Sequence, residues 1–136
     1  MRFDHMELTI PVGSLTATLR EEIDGFYGSI FGWSAFDIDV AGRPCRLLTC
    51  GSDQFIQLLE SEQPMHAPGS DHLGLLLESR QDVDDALKAC ERYAGSDDRV
   101  SIERRQDLVY PGLTVHTFYV NYLLPISFDV HSQEPS

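Results

Sequence analysis

The feature that most restricts the fold of this chain is an internal repeat. The segment Asp4–Leu8 (DHMEL) near the start returns as Asp71–Leu75 (DHLGL) in the middle. Each copy opens an alternating stretch, which predicts a strand to about Val12 in the first half and to about Glu78 in the second. Self-similarity on this scale predicts two supersecondary units of one plan.

A helical pattern follows each of these strands. Apolar residues recur at steps of three and four between Leu15 and Phe31, and again between Val83 and Ala94. We expect the first helix to stop near Gly32. Ser79 followed by Asp82 resembles a capping box, which places the start of the second helix.

Three strand-like runs follow each helix, at 35–40, 45–50 and 54–60 and then at 100–108, 114–120 and 126–131. Turn signals separate the early runs at 41–44 and 51–53. The order strand, helix and three strands therefore occurs twice, which predicts an α+β fold of two βαβββ modules. The joint at 61–70 is short enough to lie inside one domain. We expect a single domain over residues 1–136, with module one at about 1–62 and module two at about 70–136.

The charge balance restricts the partners of the chain. Ten Lys and Arg against 22 Asp and Glu give a formal net charge of −12. This charge repels the phosphates of nucleic acids and anionic lipids, and no apolar run approaches the roughly 18 residues of a membrane helix. We therefore expect a cytoplasmic protein with a small-molecule ligand and neither nucleic acid nor membrane as partner. The three cysteines lack zinc-finger or redox spacing, so we expect them to be small buried or half-buried residues.

Strand parity predicts one polar side chain at the same place in four strands. Successive residues of a strand point to opposite faces, so His5, Gln57, His72 and Asp129 each lie opposite an aliphatic face. They occupy the first and last strands of each half and converge if the halves pair around a pseudo-two-fold axis. Two imidazoles, an amide oxygen and a carboxylate suit a divalent ion such as Zn, Ni, Co, Fe or Mn, with positions left for water or substrate. The alternative is four isolated polar residues on a solvated concave sheet.

Further residues are candidates for catalysis and substrate binding. Glu7 shares the face of His5 and is either a general base or a solvated acid at the cavity mouth. His116 has the parity of Phe118 and either lines the pocket or faces the helices. Phe55 and Phe118 are candidates for lining an apolar substrate pocket, or are simple core residues.

Two further groups of residues are weaker candidates for a functional role. His131 lies on the face of Asp129 and is a candidate substitute ligand if Asp129 is too short to reach an ion. Arg104 and Arg105, between Glu103 and Asp107, are interpreted as a solvated charge cluster rather than an anion site.

Taken in order, these segments resemble the vicinal oxygen chelate superfamily. That superfamily includes glyoxalase I, extradiol dioxygenases, methylmalonyl-CoA epimerase, and fosfomycin and bleomycin resistance proteins. The resemblance covers essentially the whole chain, and it is carried by residues 4–8, 26–27, 32–33, 55–59, 71–75, 118–120 and 126–130. It implies a curved mixed sheet around a central cavity with the helices outside. It also implies metal ligands at His5, Gln57, His72 and Asp129, where a Glu is common in the last position.

The resemblance implies one of two functions. The first is a divalent-metal-dependent enzyme of isomerase, lyase or dioxygenase type that acts on a small oxygen-chelating metabolite, with Glu7 and Asp129 as candidate catalytic acids. The alternative is a metal-free protein that binds or sequesters a small molecule or drug, and the acidic charge favours a cationic drug. Because many members pair across chains, the resemblance also implies a homodimer.

Overall fold

The structure of the protein is a computed structural model that describes residues 1–51 and 53–136. The chain divides into two compact units, Met1–His66 and Ala67–Ser136. The division falls within the joint at 61–70. The turn expected at 51–53 includes Ser52, which lies outside the described residues.

The first unit contains one helix and a four-stranded sheet. Its elements are β1 (His5–Pro11), α1 (Ala17–Phe31), β2 (Ser34–Val40), β3 (Arg43–Thr49) and β4 (Phe55–Ser61). The strand order is β1-β4-β3-β2, and β1 and β4 run parallel while the other neighbours are antiparallel. The predicted βαβββ order is confirmed in this unit.

Local signals set the limits of α1. The Thr16 side chain accepts a hydrogen bond from the Leu19 amide at 3.1 Å, which caps the first turn. Gly32 adopts a left-handed conformation (φ 72°) and its amide donates to the Gly28 carbonyl, which ends the helix where the sequence predicts. The helix buries Ile23, and the apolar face of the sheet is likewise buried.

The second unit repeats this plan with a broken strand. Its elements are β5 (His72–Leu76), α2 (Arg80–Ala94), β6 (Ser101–Arg104), β7 (Leu108–Tyr110), β8 (Leu113–Asn121) and β9 (Ser127–Glu134). The strand order is β5-β9-β8-β6, with β7 also paired to β8, and β5 and β9 run parallel. The Ser79 side chain accepts from the Asp82 amide at 3.1 Å, so the predicted start of α2 is confirmed. The α+β fold class is confirmed.

The prediction of one continuous strand at 100–108 is wrong. Arg104 lies opposite Phe118 and Leu108 lies opposite Val115, so β6 and β7 advance four residues while β8 advances three. The extra residue is a β-bulge, which interrupts the pairing and reverses the alternation of side chains beyond it. Propensity and periodicity do not register such an insertion, because it exists only relative to the partner strand.

The apolar core of the second unit lies between α2 and one face of its sheet. Phe118 and Phe128 are buried in the sheet, and Val83 and Cys90 are buried on the helix. The cysteines are as expected, with Cys45 and Cys90 buried and Cys50 half-buried, and burial raises the pKa of the Cys90 thiol to about 12. Within the described residues, no helix combines the length and apolar character that crossing a membrane requires.

Candidate functional site

The structure brings together two of the predicted metal ligands on the polar face of the second sheet. His72 opens β5, and Asp129 lies on the neighbouring strand β9, directly opposite Gly74. His72 Nε2 is 3.7 Å from Asp129 Oδ2, and both side chains are partly accessible. The two side chains come close because β5 and β9 are neighbouring strands and both residues point to the same face of the sheet.

The imidazole of His72 is oriented by the backbone that precedes it. Its Nδ1 lies 2.8 Å from the Ser70 carbonyl oxygen, which can only accept a hydrogen bond. Nδ1 therefore carries the proton, and Nε2 of the neutral ring presents a lone pair. Ligating histidines typically show this arrangement, with the second ring nitrogen held by a carbonyl or carboxylate. The ring also lies 4.9 Å from the Tyr119 ring, which restricts its rotation.

The two oxygens of Asp129 have different surroundings. Oδ1 accepts a hydrogen bond from the buried Thr117 hydroxyl, and it lies 3.5 Å from His131 Nδ1. Oδ2 faces His72. Two donors that share a metal ion with bonds of about 2.1 Å lie roughly 3 to 3.4 Å apart, so the 3.7 Å pair fits a divalent ion after a small movement.

His131 completes a polar cluster beside this pair. A Cβ atom at Gly74 would lie 3.3 Å from His131 Cε1, so the imidazole occupies the space that the glycine leaves open. Its Nδ1 is 3.3 Å from the Asp129 carbonyl oxygen. In the described part of the chain, no three His, Cys, Asp or Glu side chains are grouped to hold a metal ion.

The histidine of the first unit, His5, has surroundings like those of His72. His5 Nδ1 is 2.7 Å from Asp4 Oδ2, and the His5 ring stacks on Phe55 with centroids 5.0 Å apart and planes within 10°. Gln57 lies on the same face of β4, directly opposite the exposed Glu7 of β1. In each unit the first-strand histidine therefore has its Nδ1 held by an acceptor and its ring packed on an aromatic ring.

Two predicted substrate-binding residues lie on the opposite face of β8 from Thr117 and Tyr119. Phe118 is in the apolar core with 1% exposure. His116 takes the helix-facing alternative, with Nε2 2.7 Å from Asp84 and Nδ1 2.7 Å from Asp107. The structure does not bring either residue to the His72 and Asp129 pair.

The ionic surroundings of His116 shift its titration. Burial lowers the pKa of His116, but the hydrogen bonds to Asp107 and Asp84 raise it by more, so the pKa lies above its ordinary value. Hydrogen bonds from Arg80 and His116 in turn lower the pKa of Asp107. The contacts of this cluster join α2, through Asp84, to His116 on β8 and to Asp107, which indicates a role in stabilising the fold.

Three further residues lie near the pair in the second unit: Thr117 and Tyr119, which the sequence prediction omitted, and Arg105, which it placed in a solvated charge cluster. Thr117 and Tyr119 share the face of Asp129, and strand parity would identify them once β8 and β9 are paired. Arg105 lies with its guanidinium carbon 4.9 Å from the Tyr119 ring centre. Arg105 has the parity of Glu103, which lies opposite Tyr119, so strand parity would identify its face once β6 and β8 are paired.

The chain has the fold of the vicinal oxygen chelate proteins, and the predicted resemblance is confirmed at that level. It is similar to a glyoxalase family protein from Bacillus anthracis, with a TM-score of 0.67 and 18% identity over 98% of this chain and 96% of the other. An integron cassette protein from V. cholerae aligns with a TM-score of 0.61 and 20% identity over 97% and 94% of the two chains.

The fosfomycin resistance protein FosX from Listeria monocytogenes has the same fold. One of its structures aligns with a TM-score of 0.68 and 12% identity over 96% of this chain and 90% of that chain. A variant of FosX, with a TM-score of 0.66 and 14% identity over 96% and 91%, was solved with Mn(II) and 1S,2S-dihydroxypropylphosphonic acid. No protein-family model and no curated protein matches the chain. At these identities the likeness establishes the fold alone.

Proposed function

We propose that this protein is a divalent-metal-dependent enzyme of isomerase, lyase or dioxygenase type that acts on a small oxygen-chelating metabolite. In this proposal His72 and Asp129 of the second unit hold the ion together with His5 and Gln57 of the first. The ion is one of Zn, Ni, Co, Fe and Mn, which accept such mixed nitrogen and oxygen ligands.

One observation carries the proposal, namely that the Nδ1 atom of both His5 and His72 lies within hydrogen-bond distance of an acceptor oxygen. His5 Nδ1 is held by Asp4 and His72 Nδ1 by the Ser70 carbonyl, so both rings present Nε2 as a basic donor. Such an acceptor raises the basicity of the ligating nitrogen and fixes its tautomer. The Mn(II) in the FosX variant of the same fold supports a metal as the partner of these donors.

The side chains of this chain then have separable roles. When bound, a divalent ion polarises a carbonyl or enolate oxygen of the substrate. Glu7, exposed beside Gln57, is proposed to move a proton on the substrate, and Asp129 is the second candidate for that role. Thr117 orients Asp129 through its hydrogen bond to Oδ1.

The test is elemental analysis of protein purified without chelator or affinity-tag metal. We expect about one divalent ion per chain in the native protein and none in the His5→Ala, His72→Ala double variant. His66→Ala is the matched control, because His66 is exposed and has no part in the proposed ligand set. That control should retain the ion.

The opposite result favours a different function. If the native protein contains no ion and takes up none when titrated with Mn(II), Zn(II), Ni(II), Co(II) or Fe(II), the metal-dependent mechanism is wrong. The metal-free alternative, a protein that binds or sequesters a small molecule, would then be the better account of the fold.

A further inference from the structure

A small pocket opens on the polar face of the second sheet, beside His72. Its volume is about 210 Å³, and every residue that lines it belongs to the second unit. The lining is mainly polar and includes Ser70, Ser101, Glu103, Arg105, Tyr119 and Ser127. The four hydroxyl groups and the guanidinium in this lining are hydrogen-bond donors of the kind that bind oxyanions.

Arg105 faces this pocket because it keeps the side-chain alternation of β6, in which Glu103 lies opposite Tyr119. In a regular strand Arg105 and Asp107 would share a face. Here Arg105 lies over the Tyr119 ring, whereas Asp107 hydrogen-bonds His116 on the other face of β8. The bulge therefore turns Asp107 away from the pocket and leaves Arg105 as the cationic side chain of its lining.

The guanidinium of Arg105 is held but retains donors for a ligand. Its Nη2 is 2.9 Å from Glu103, and its planar group lies on the Tyr119 ring. The side chain is 42% exposed. Since a guanidinium has five N–H donors in a rigid fork, a carboxylate or phosphonate can still bind in the bidentate mode.

The pocket and the His72–Asp129 pair are close enough for one small molecule. The Tyr119 ring centre is 4.9 Å from the His72 ring centre and 4.9 Å from Arg105 Cζ, so these two groups are at most 9.8 Å apart. Once the contact distances at both ends are subtracted, a separation within this limit is bridged by a ligand of up to about five carbon atoms, given C–C bonds of about 1.5 Å.

We propose that the pocket binds the anionic head group of a short-chain oxyacid and that Arg105 recognises this head group. This inference rests on the proposed function in one respect, namely that the hydroxyl or carbonyl oxygens at the other end of the molecule meet His72 and Asp129. The ligand class is a small carboxylate or phosphonate with oxygen substituents. Glu103 shares the pocket and weakens the attraction for an anion.

The test is an NMR titration of chelator-treated protein with three probes, propylphosphonate, butanoate and neutral propane-1,2-diol. In Arg105→Gln we expect the dissociation constant of the anion that the native protein binds to rise tenfold or more, and that of the diol to change less than twofold. Arg105→Lys, which keeps the charge but loses the planar fork, should retain part of the affinity. Glu103→Gln should tighten anion binding.

Arg104→Gln is the matched control. Arg104 is the neighbouring residue, and its ion pair with Glu91 at 3.0 Å places it on the helix side of the sheet. Both substitutions change the net charge equally, so a loss specific to Arg105 excludes a general electrostatic effect. Anion affinity in Arg104→Gln should stay within twofold of the native value.

Three outcomes would overturn the inference: neither anion binds the native protein, Arg105→Gln binds both as the native protein does, or Arg104→Gln loses as much affinity. The stronger of the two anionic probes identifies the head group as carboxylate or phosphonate. Because the titration uses metal-depleted protein, Arg105-dependent binding without metal uptake would refute only the proposed function. Metal uptake with Arg105-independent binding would refute only this inference.

Discussion

The two units share one plan and differ where the first and last strands meet. In the first unit Glu7 lies opposite Gln57, and Leu59, two residues further along β4, is fully buried. In the second unit Gly74 takes the place of Glu7, and a histidine takes the place of Leu59. The missing side chain makes room for an imidazole beside Asp129. The comparison teaches that one backbone plan can carry different chemistry when glycine replaces a long side chain at a single position.

The strands at the other end of each sheet also differ. In the first unit β2 and β3 pair without interruption over seven residues each. In the second unit the corresponding strand is split by a bulge that sends Arg105 and Asp107 to opposite faces. Regular pairing keeps Asp37 and Arg46 on one face, where they form an ion pair, whereas the bulge sends two charged residues to opposite faces.

The largest expected effect tests whether the two units unfold together, as a single domain requires. Phe128 is fully buried in the second unit, so Phe128→Ala should cost about 3–5 kcal/mol through lost burial and a cavity. Trp33, the only tryptophan, lies in the first unit and reports on its unfolding by fluorescence. We expect the urea midpoint of the Trp33 signal to fall together with that of circular dichroism. An unchanged Trp33 midpoint with a biphasic dichroism curve would show that the units unfold separately.

A second prediction compares the two histidine anchors and rests on the proposed metal site. The acceptor for His5 is a side chain, whereas the acceptor for His72 is the Ser70 backbone carbonyl. Asp4→Ala should therefore weaken metal affinity about tenfold, because loss of such an acceptor typically costs ten- to a hundredfold.

Ser70→Ala leaves the carbonyl in place and should change metal affinity less than twofold. Competition titration with a chromophoric chelator measures both variants. Equal losses in the two variants would contradict the distinction between a side-chain anchor and a backbone anchor.

The third prediction concerns the ionic cluster that only the second unit has around His116. The pKa of His116 is raised in the folded state, so its contribution to stability is present below the unfolded pKa of about 6.5 and is lost as pH rises through the folded value. His116→Gln should cost about 1 kcal/mol near pH 5.5, since solvent reaches part of the cluster. The cost should shrink near pH 9, as measured by urea unfolding at each pH.

His66→Gln is the control for that measurement, because His66 is exposed. Its stability difference from the native protein should stay near zero at both pH values. A cost for His116→Gln that is the same at both pH values would show that the protonated ring contributes nothing beyond packing.

The smallest expected effect concerns the glycine that distinguishes the units. Gly74→Ala would place a Cβ 3.3 Å from His131 Cε1, which the ring can relieve by a small movement. The strand gains by losing a glycine, so the net stability change should stay below about 1 kcal/mol. The ring signals of His131 should nevertheless shift in NMR spectra, and those of His66 should not. Unshifted His131 signals would contradict the close approach to Gly74.

Much of the fold was predictable because it follows from local pattern. Several patterns can be recognised within a few consecutive residues. They are each copy of the repeat at Asp4–Leu8 and Asp71–Leu75, the apolar stripe of each helix and the alternation of each strand. The Thr16 and Ser79 caps likewise depend on neighbours in the sequence. The strand at 100–108 failed because a bulge is defined by the partner strand rather than by its own residues.

The candidate site was predictable only in part. Parity identified His72 and Asp129 as residues of one face, and the structure brings them together. It could not decide between the two alternatives for His116, because both faces of β8 carry polar and apolar residues. The assignments of Glu7, Gln57 and Phe55 to a shared site stay predictions.

The sequence by itself determined the repeated strand and helix plan, the helix limits and the faces of the regular strands, because these depend on short-range periodicity and capping. Only the tertiary structure decided that Arg105 and Asp107 diverge, that an imidazole fills the space over Gly74, and that His116 is held by Asp84 and Asp107. The physical reason is that these contacts join residues on different strands and helices. The distances between these residues depend on strand register, on a bulge and on the absence of one side chain. None of these three features can be recognised from a single segment of the sequence.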